Sequence, residues 1–319
     1  MNDLIEKMRK GDRRALSRLL SYVEERDDRS FRLLEKIWPH TGHAFIVGVT
    51  GPAGAGKSTL IDQLIAAVRS KGKKVGVVAI DPTSPFSGGA VLGDRIRMQR
   101  HSSDPDVFIR SVSSGGRSGG ISFSTRAVVQ LFDAFGVDLI LVETVGAGQS
   151  EVDIIDIADT VLLVLMPETG DAIQTLKAGI LEIADIFVVN KKDCEGADRL
   201  VQEIESMLSL APSRTEWQPP ILLTEGRSGE GVEELWRAIE RHQELLAKQG
   251  LNKKELLRRR LHELSEILQA RLHAQMLERI SDDSKLTKEL SDGVRPNLYA
   301  VAENLLSGVP KNKSSRKDK

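Results

Sequence analysis

Nine consecutive residues constrain this chain more than any other feature. Gly51-Pro52-Ala53-Gly54-Ala55-Gly56-Lys57-Ser58-Thr59 fit the pattern G-x-x-x-x-G-K-[ST], a loop built to cradle a polyphosphate. Glycines reach backbone conformations that a Cβ forbids, so successive N–H groups converge on an anion. Lys57 supplies a point charge for the β- and γ-phosphates, and the Ser58 hydroxyl supplies a ligand for Mg²⁺. A helix starting at Lys57 turns the positive end of its dipole toward the same charge. Chance yields such a pattern in about one chain in a hundred of this length. The flanks argue further against chance. Residues 44–50 are an apolar run of strand length, and 60–68 carry helical periodicity, the strand–loop–helix context the motif requires.

Beyond the loop the pattern alternates. Strand candidates fall at 44–50, 75–80, 107–112, 138–143, 160–166, 185–190 and 220–224, with helical stretches between most of them. Alternating βα units predict an α/β fold of the P-loop NTPase kind, a mostly parallel sheet covered by helices on both faces. Ligands of such sheets gather at the carboxyl ends of the strands. Residues 1–42 read as an N-terminal helical extension, with Leu16, Leu19, Leu20 and Val23, then Phe31, Leu34 and Trp38, at helical spacing. Pro39 ends the second of its helices. The NTPase domain takes 43–248, a C-terminal helical extension 249–310, and a disordered basic tail 311–319. In that extension Leu257, Leu261, Leu264, Leu268 and Leu272 line one face of a long charged helix. The stripe could fold back on the domain or pair with another chain, and pairing is favoured because a helix this long at a chain end often needs a partner to bury it.

Composition excludes several classes. A net charge of −1 over 319 residues gives no global field for nucleic acid or an anionic membrane. Arg258-Arg259-Arg260 reads as a solvated helix face. The apolar runs are too short to span a bilayer, and the N-terminus lacks a signal-peptide core. The single cysteine, Cys194, allows no internal disulfide and reads as a small buried residue. These features predict a soluble, cytoplasmic protein.

Asn190-Lys191-Lys192-Asp193 closes the run 185–190 as N-K-x-D. After a phosphate loop this reads as a guanine reader. The Asp193 carboxylate accepts from N1–H and the exocyclic amine of guanine, whereas adenine presents an acceptor there. The mismatch costs about 2–3 kcal/mol, roughly a hundredfold in affinity. Asn190 can tie the turn to the phosphate loop, and the Lys191 stem can lie over the base. A further backbone contact to the base is expected in Thr224-Glu225-Gly226. For the metal, Glu143 opens Glu143-Thr144-Val145-Gly146, where its carboxylate can hold Mg²⁺ through water and the Gly146 N–H can sense the γ-phosphate. Asp81 and Asp94 bracket a long Gly/Ser/Pro loop suited to a switch. Ala147 stands where a water-orienting glutamine is often found, so hydrolysis is expected to be slow alone and faster with a partner.

With these residues assembled, the chain resembles the MeaB/ArgK-type GTPases associated with adenosylcobalamin-dependent methylmalonyl-CoA mutase and related acyl-CoA mutases. The specific stretches are Gly51–Thr59, Asp81–Met98, Glu143–Glu151 and Met166–Lys177. The resemblance implies GTP and Mg²⁺ as ligands, with Ser58, Asp81, Asp94 and Glu143 at the metal and switch positions. It implies a partner switch loop at Met166–Lys177, with Asp171, Gln174 and Lys177 at its polar positions, and dimerisation through the C-terminal extension. GTP would gate cofactor loading and protect the mutase. Two rivals share parts of the pattern. A metallochaperone GTPase would show His or Cys at ligand spacing, but the histidines at 40, 43, 101, 242, 262 and 273 are scattered. A nucleotide-dependent kinase linked to amino-acid transport is contradicted by Asp193 and lacks a kinase catalytic loop.

Overall fold

Each apolar run forms a strand, within one residue of its expected bounds. β1 is Phe45–Thr50, β2 Val75–Asp81, β3 Val107–Ser113, β4 Leu139–Glu143, β5 Thr160–Leu165, β6 Ile186–Asn190 and β7 Ile221–Thr224. They pair in the order β3-β2-β4-β1-β5-β6-β7, every pairing parallel. β2, β4, β5 and β6 are buried at every position. Burial on both faces is why these runs are continuously apolar rather than alternating. The computed structural model describes residues 1–24, 28–81, 99–113, 122–144, 150–167, 181–210, 217–249, 253–282, 287–288 and 296–307.

Among the described residues the helices of eight or more residues are α1 (Asn2–Arg9), α2 (Arg13–Glu24), α3 (Asp28–Ile37), α4 (Lys57–Arg69), α5 (Phe123–Phe135), α6 (Ala197–Leu210), α7 (Val232–Gln249), α8 (Lys253–Asp282) and α9 (Leu298–Ser307). One apolar core joins α1, α2, α3 and α5 to one face of the sheet, through residues such as Met8, Leu19, Leu33, Phe132 and Ile140. A second joins α4 and α7 to the other face through Leu64, Val77, Leu162 and Trp236. Among the described residues no helix is long and apolar enough to cross a membrane.

The N-terminal segment holds three helices where two were expected. The chain breaks at Gly11 (φ 91°), and Asp12 then caps α2 by accepting from Arg14 N at 2.8 Å and Ala15 N at 3.1 Å. Leu16, Leu19, Leu20, Val23 and Phe31 are buried as their spacing implied, but Trp38 is 54% exposed. It sits with Pro39 in a 3₁₀ turn, Trp38–His40, beyond the end of α3. Asp133 of α5 then fastens the approach to β1, accepting from the backbone N–H groups of Gly42, His43 and Ala44 at 2.5, 3.1 and 2.9 Å. On α8 the leucine stripe faces solvent, from 46% exposed at Leu272 to 57% at Leu257.

Candidate functional site

The phosphate loop joins the end of β1 to the start of α4 at the centre of the sheet. Two of its glycines are dictated by close approach. A Cβ on Gly51 (φ 136°) would stand 2.0 Å from the Val164 carbonyl oxygen, and one on Gly56 (φ 86°) 2.4 Å from Asn190 Nδ2. No side chain fits either place. Lys57 is 6% exposed, and its ammonium donates to the carbonyls of Gly51 at 2.8 Å and Pro52 at 3.0 Å. The cation thus lies across the loop that it serves.

Beneath the loop, Ser58 Oγ donates to Glu143 Oε1 at 2.7 Å, with both residues buried. Glu143 ends β4 and lies in register with Val49 of β1. Thr144 fastens the two strand ends together: its N–H donates to the Val49 carbonyl at 3.1 Å and its hydroxyl to Thr50 Oγ1 at 3.1 Å. Sequence reasoning passed over this threonine pair, although Thr144 stands inside the E-x-x-G stretch. Asp81, 4% exposed, ends β2 two residues past Ala79, the register partner of Glu143. Asp81 and Glu143 therefore sit at the carboxyl ends of neighbouring strands, with Ser58 at the amino end of α4 beside Glu143.

The second half of the site hangs on Asn190, 2% exposed. Its Nδ2 donates to the Ala55 carbonyl at 2.8 Å, while its Oδ1 accepts from Thr224 Oγ1 at 3.1 Å and Gly226 N at 3.0 Å. One side chain thus ties the phosphate loop, the end of β6 and the loop after β7. The Thr224 hydroxyl and the Gly226 N–H, expected near the base, are committed to holding Asn190. Glu225 N donates to the Glu230 carbonyl at 3.0 Å. Lys191 adopts φ 58°, the one positive φ at a non-glycine residue among the described residues, a conformation that persists only where the surroundings enforce it. Its ammonium reaches Met166 Sδ at 3.0 Å. Asp193 is exposed on the following turn, and so is Cys194. The burial expected for that cysteine is corrected: the turn is too short to carry it back into the core, with Cys194 N donating to the Lys191 carbonyl at 2.9 Å.

Asp94, Gly146, Ala147, Asp171, Gln174 and Lys177 lie outside the described residues. Among the described residues no group of three or more His, Cys, Asp or Glu is arranged to hold a metal ion. Two histidines have fixed roles in packing. His101 Nε2 lies 2.9 Å from the Asp62 carbonyl, and His242 Nδ1 lies 2.7 Å from Thr160 Oγ1.

This geometry meets its counterpart in comparison with known proteins. The family model described as methylmalonyl-CoA mutase-associated GTPase MeaB matches residues 16–281. The chain belongs to the MeaB family. A Pyrococcus horikoshii relative named as a GTPase is 54% identical over 253 residues, covering 78% of this chain and 80% of the relative. The Escherichia coli GTPase ArgK is 37% identical over 243 residues, covering 74% of this chain and 73% of ArgK. A mouse relative, the methylmalonic aciduria type A homolog, mitochondrial, is 40% identical over 210 residues, covering 65% of this chain and 51% of the relative. A solved structure described as an LAO/AO transport system kinase superposes with a TM-score of 0.67 at 27% identity, covering 96% of each chain. The chain is therefore a P-loop GTPase of the MeaB family, and its all-parallel sheet is the scaffold shared with that structure.

Proposed function

We propose that this MeaB-family chain runs a GTP cycle that gates cofactor loading into an adenosylcobalamin-dependent acyl-CoA mutase, of the methylmalonyl-CoA mutase type, and protects that enzyme. One observation carries the nucleotide half of this reading. Asn190 binds the N-K-x-D turn to the phosphate loop at Ala55, so base and phosphates would be read by a single connected element. Family membership carries the mutase half.

In this reading Gly51–Thr59 wrap the phosphates with backbone N–H groups, and Lys57 leaves the Gly51 and Pro52 carbonyls for the β- and γ-oxygens. Asp193 selects guanine and the Lys191 stem covers it. A P-loop magnesium needs one hydroxyl and a carboxylate acting through water, with phosphates completing the shell. The buried Ser58–Glu143 contact at 2.7 Å fits that donor set, and Asp81 and Asp94 complete the acidic rim. Mg²⁺, when bound, would offset charge developing between the β- and γ-phosphates. Ser58 and Glu143 would hold it, and the Gly146 N–H would follow the γ-phosphate. With Ala147 after Gly146, no side chain at that position orients the attacking water, so the isolated chain turns over slowly and the mutase accelerates it.

Asp171, Gln174 and Lys177 present the polar face of Met166–Lys177 to the mutase. The exposed leucines of α8 join two copies into a homodimer, and the chain works in the cytoplasm. The divisions at 42, 248 and 310 then separate N-terminal helices, GTPase body and dimerisation arm, followed by a basic tail. The test is GTP turnover by the purified chain with and without purified methylmalonyl-CoA mutase. A clear rise on adding mutase supports the reading; fast turnover alone, with no rise, refutes it.

A further inference from the structure

The long helix α8 meets the body of the molecule largely through charge. Asp156, 7% exposed, closes the 3₁₀ turn Ile154–Asp156. It receives Arg258 Nη1 at 2.5 Å and lies 3.4 Å from His262 Nδ1. Arg126 of α5 donates to the Asp156 main-chain carbonyl at 3.1 Å and pairs with Glu266 of α8. Gln130 donates to Glu263 Oε1 at 3.0 Å, and Arg259 stands 3.9 Å from Asp159. The arginine run expected to be a solvated face is thus divided, with Arg258 and Arg259 turned to acids. Beside these contacts a cavity of about 270 Å³ separates α3, α5 and α8, walled in part by Phe31, Trp38, Phe123 and Ile267. An interface that is hollow and ionic gives up far less on opening than a filled apolar core.

The acidic side of this clasp is bolted to the phosphate-loop strand. Ile154 is fully buried, and a Cβ on Gly48 of β1 would stand 2.4 Å from its Cγ1. Asp159 N donates to the Ile46 carbonyl at 2.7 Å, and Asp159 Oδ2 accepts from Ile46 N at 2.9 Å. In sequence, the single helical turn Ser150–Asp153 and then Ile154–Asp156 follow Glu143 with only a short segment between. Asp156 follows Glu143 by 13 residues in sequence and pairs with Arg258 of α8.

We infer that Asp156 is a positioning residue that couples the nucleotide state of the site to the seating of α8, through Arg258 and His262. Coupling of this kind is reciprocal: if nucleotide reseats the helix, releasing the helix shifts the preference between nucleotides. The inference rests on the GTP reading of the site and needs no mutase.

The experiment uses the full chain, Asp156→Asn, and the α8 variants Arg258→Ala and His262→Ala, which alter side chains 44% and 41% exposed, outside the phosphate loop. Affinities for GDP and a non-hydrolysable GTP analogue are measured, with hydrogen exchange across 253–282 in both states. The parent is expected to exchange at rates differing about fivefold or more between the two states, and the variants to lose that difference. The analogue-to-GDP affinity ratio should move by about the same factor. Equal exchange in both states of the parent would overturn the inference. So would an unchanged ratio in Arg258→Ala and His262→Ala, or a parallel fall in both affinities, which marks mere structural damage. A parent that binds neither nucleotide refutes the site reading itself, and the coupling with it.

Discussion

Asn190 Nδ2 donates to the Ala55 carbonyl at 2.8 Å, bridging the N-K-x-D turn and the phosphate loop with one buried side chain. Asn190→Ala would leave the Ala55 carbonyl, the Thr224 hydroxyl and the Gly226 N–H without this partner. The expected loss is about 1–3 kcal/mol of folding stability, read as a lower urea midpoint with an unchanged slope. GTP affinity should fall with it, because the two halves of the site are no longer held in register. A variant as stable as the parent would show that water replaces the amide.

Base choice is tested at Asp193, which is exposed and so can be changed without disturbing the core. Asp193→Asn replaces an acceptor by a donor and should move preference from guanine toward xanthine, whose C2 carries a carbonyl. The expected loss for GTP is roughly a hundredfold. Titrations with GTP, ATP and XTP on both proteins check it. Retained GTP preference in the variant would remove Asp193 from the base site.

Catalysis and partner response should separate. Lys57→Ala is expected to abolish most GTP turnover, and Glu143→Gln to raise the Mg²⁺ concentration needed for half-maximal rate. Ala at Asp171, Gln174 or Lys177 should leave GTP affinity and unaided turnover nearly intact while reducing acceleration by the mutase. Turnover with and without mutase, alongside thermal unfolding, distinguishes these effects. Lower stability with normal acceleration would return the three residues to a structural role.

A pH signature should come from the amino edge of the sheet. Burial pushes the Asp185 carboxyl up to about 6 and the His242 imidazole down to about 4, with the two groups 3.6 Å apart. Between its ordinary value near 3.8 and about 6, Asp185 binds more proton folded than unfolded, so its contribution to stability declines as pH rises through that window. His242 acts in the opposite sense: it is held neutral when folded, so stability is lost as pH falls from 6.5 toward 4. Asp185→Asn keeps an oxygen for the Val161 N–H, bonded at 2.8 Å, and removes the titration. The variant should gain stability relative to the parent as pH rises from about 4 to about 6 and hold that gain above it. Unfolding midpoints at several pH values test this; a flat difference refutes the assignment.

The outward leucines of α8 give the last prediction. Leu261→Glu with Leu268→Glu places charge on positions 57% and 51% exposed in the single chain. The isolated fold should tolerate both changes, whereas a dimer joined along this stripe should dissociate. Sedimentation of parent and variant decides between these outcomes, and an unchanged mass would move the dimer interface elsewhere.

Much of this molecule was readable before any coordinates. All seven strands fell within a residue of expectation because buried parallel strands are unbroken apolar runs. Lys57, Ser58, Asn190 and Glu143 came together because each motif closes or follows a strand at the same edge of the sheet. What escaped were pairings with no local period. Asp133 caps Gly42 from 91 residues away, and Arg126 reaches His262 across 136. Asp156 stands in no motif, and nothing in its sequence neighbourhood announces Arg258. The extra break at Gly11-Asp12 was visible in sequence as a glycine followed by a capping aspartate, and was passed over. Cys194 was misplaced because residue type favours burial while the turn geometry does not.

The strand order has a consequence for how the chain is made. β1 carries the phosphate loop, yet it pairs only with β4 and β5: Phe45 lies opposite Leu139, and Val47 opposite Thr160. On a ribosome working at about 5–20 residues per second, β1 waits on the order of ten seconds for its neighbours to be synthesised. Asn190 and then Thr224 and Gly226 follow later still before the loop is tied down. Through that interval an apolar strand is exposed, and its pairings, distant in sequence, form slowly. GTP can therefore stabilise the finished molecule, but it cannot template the first half of it.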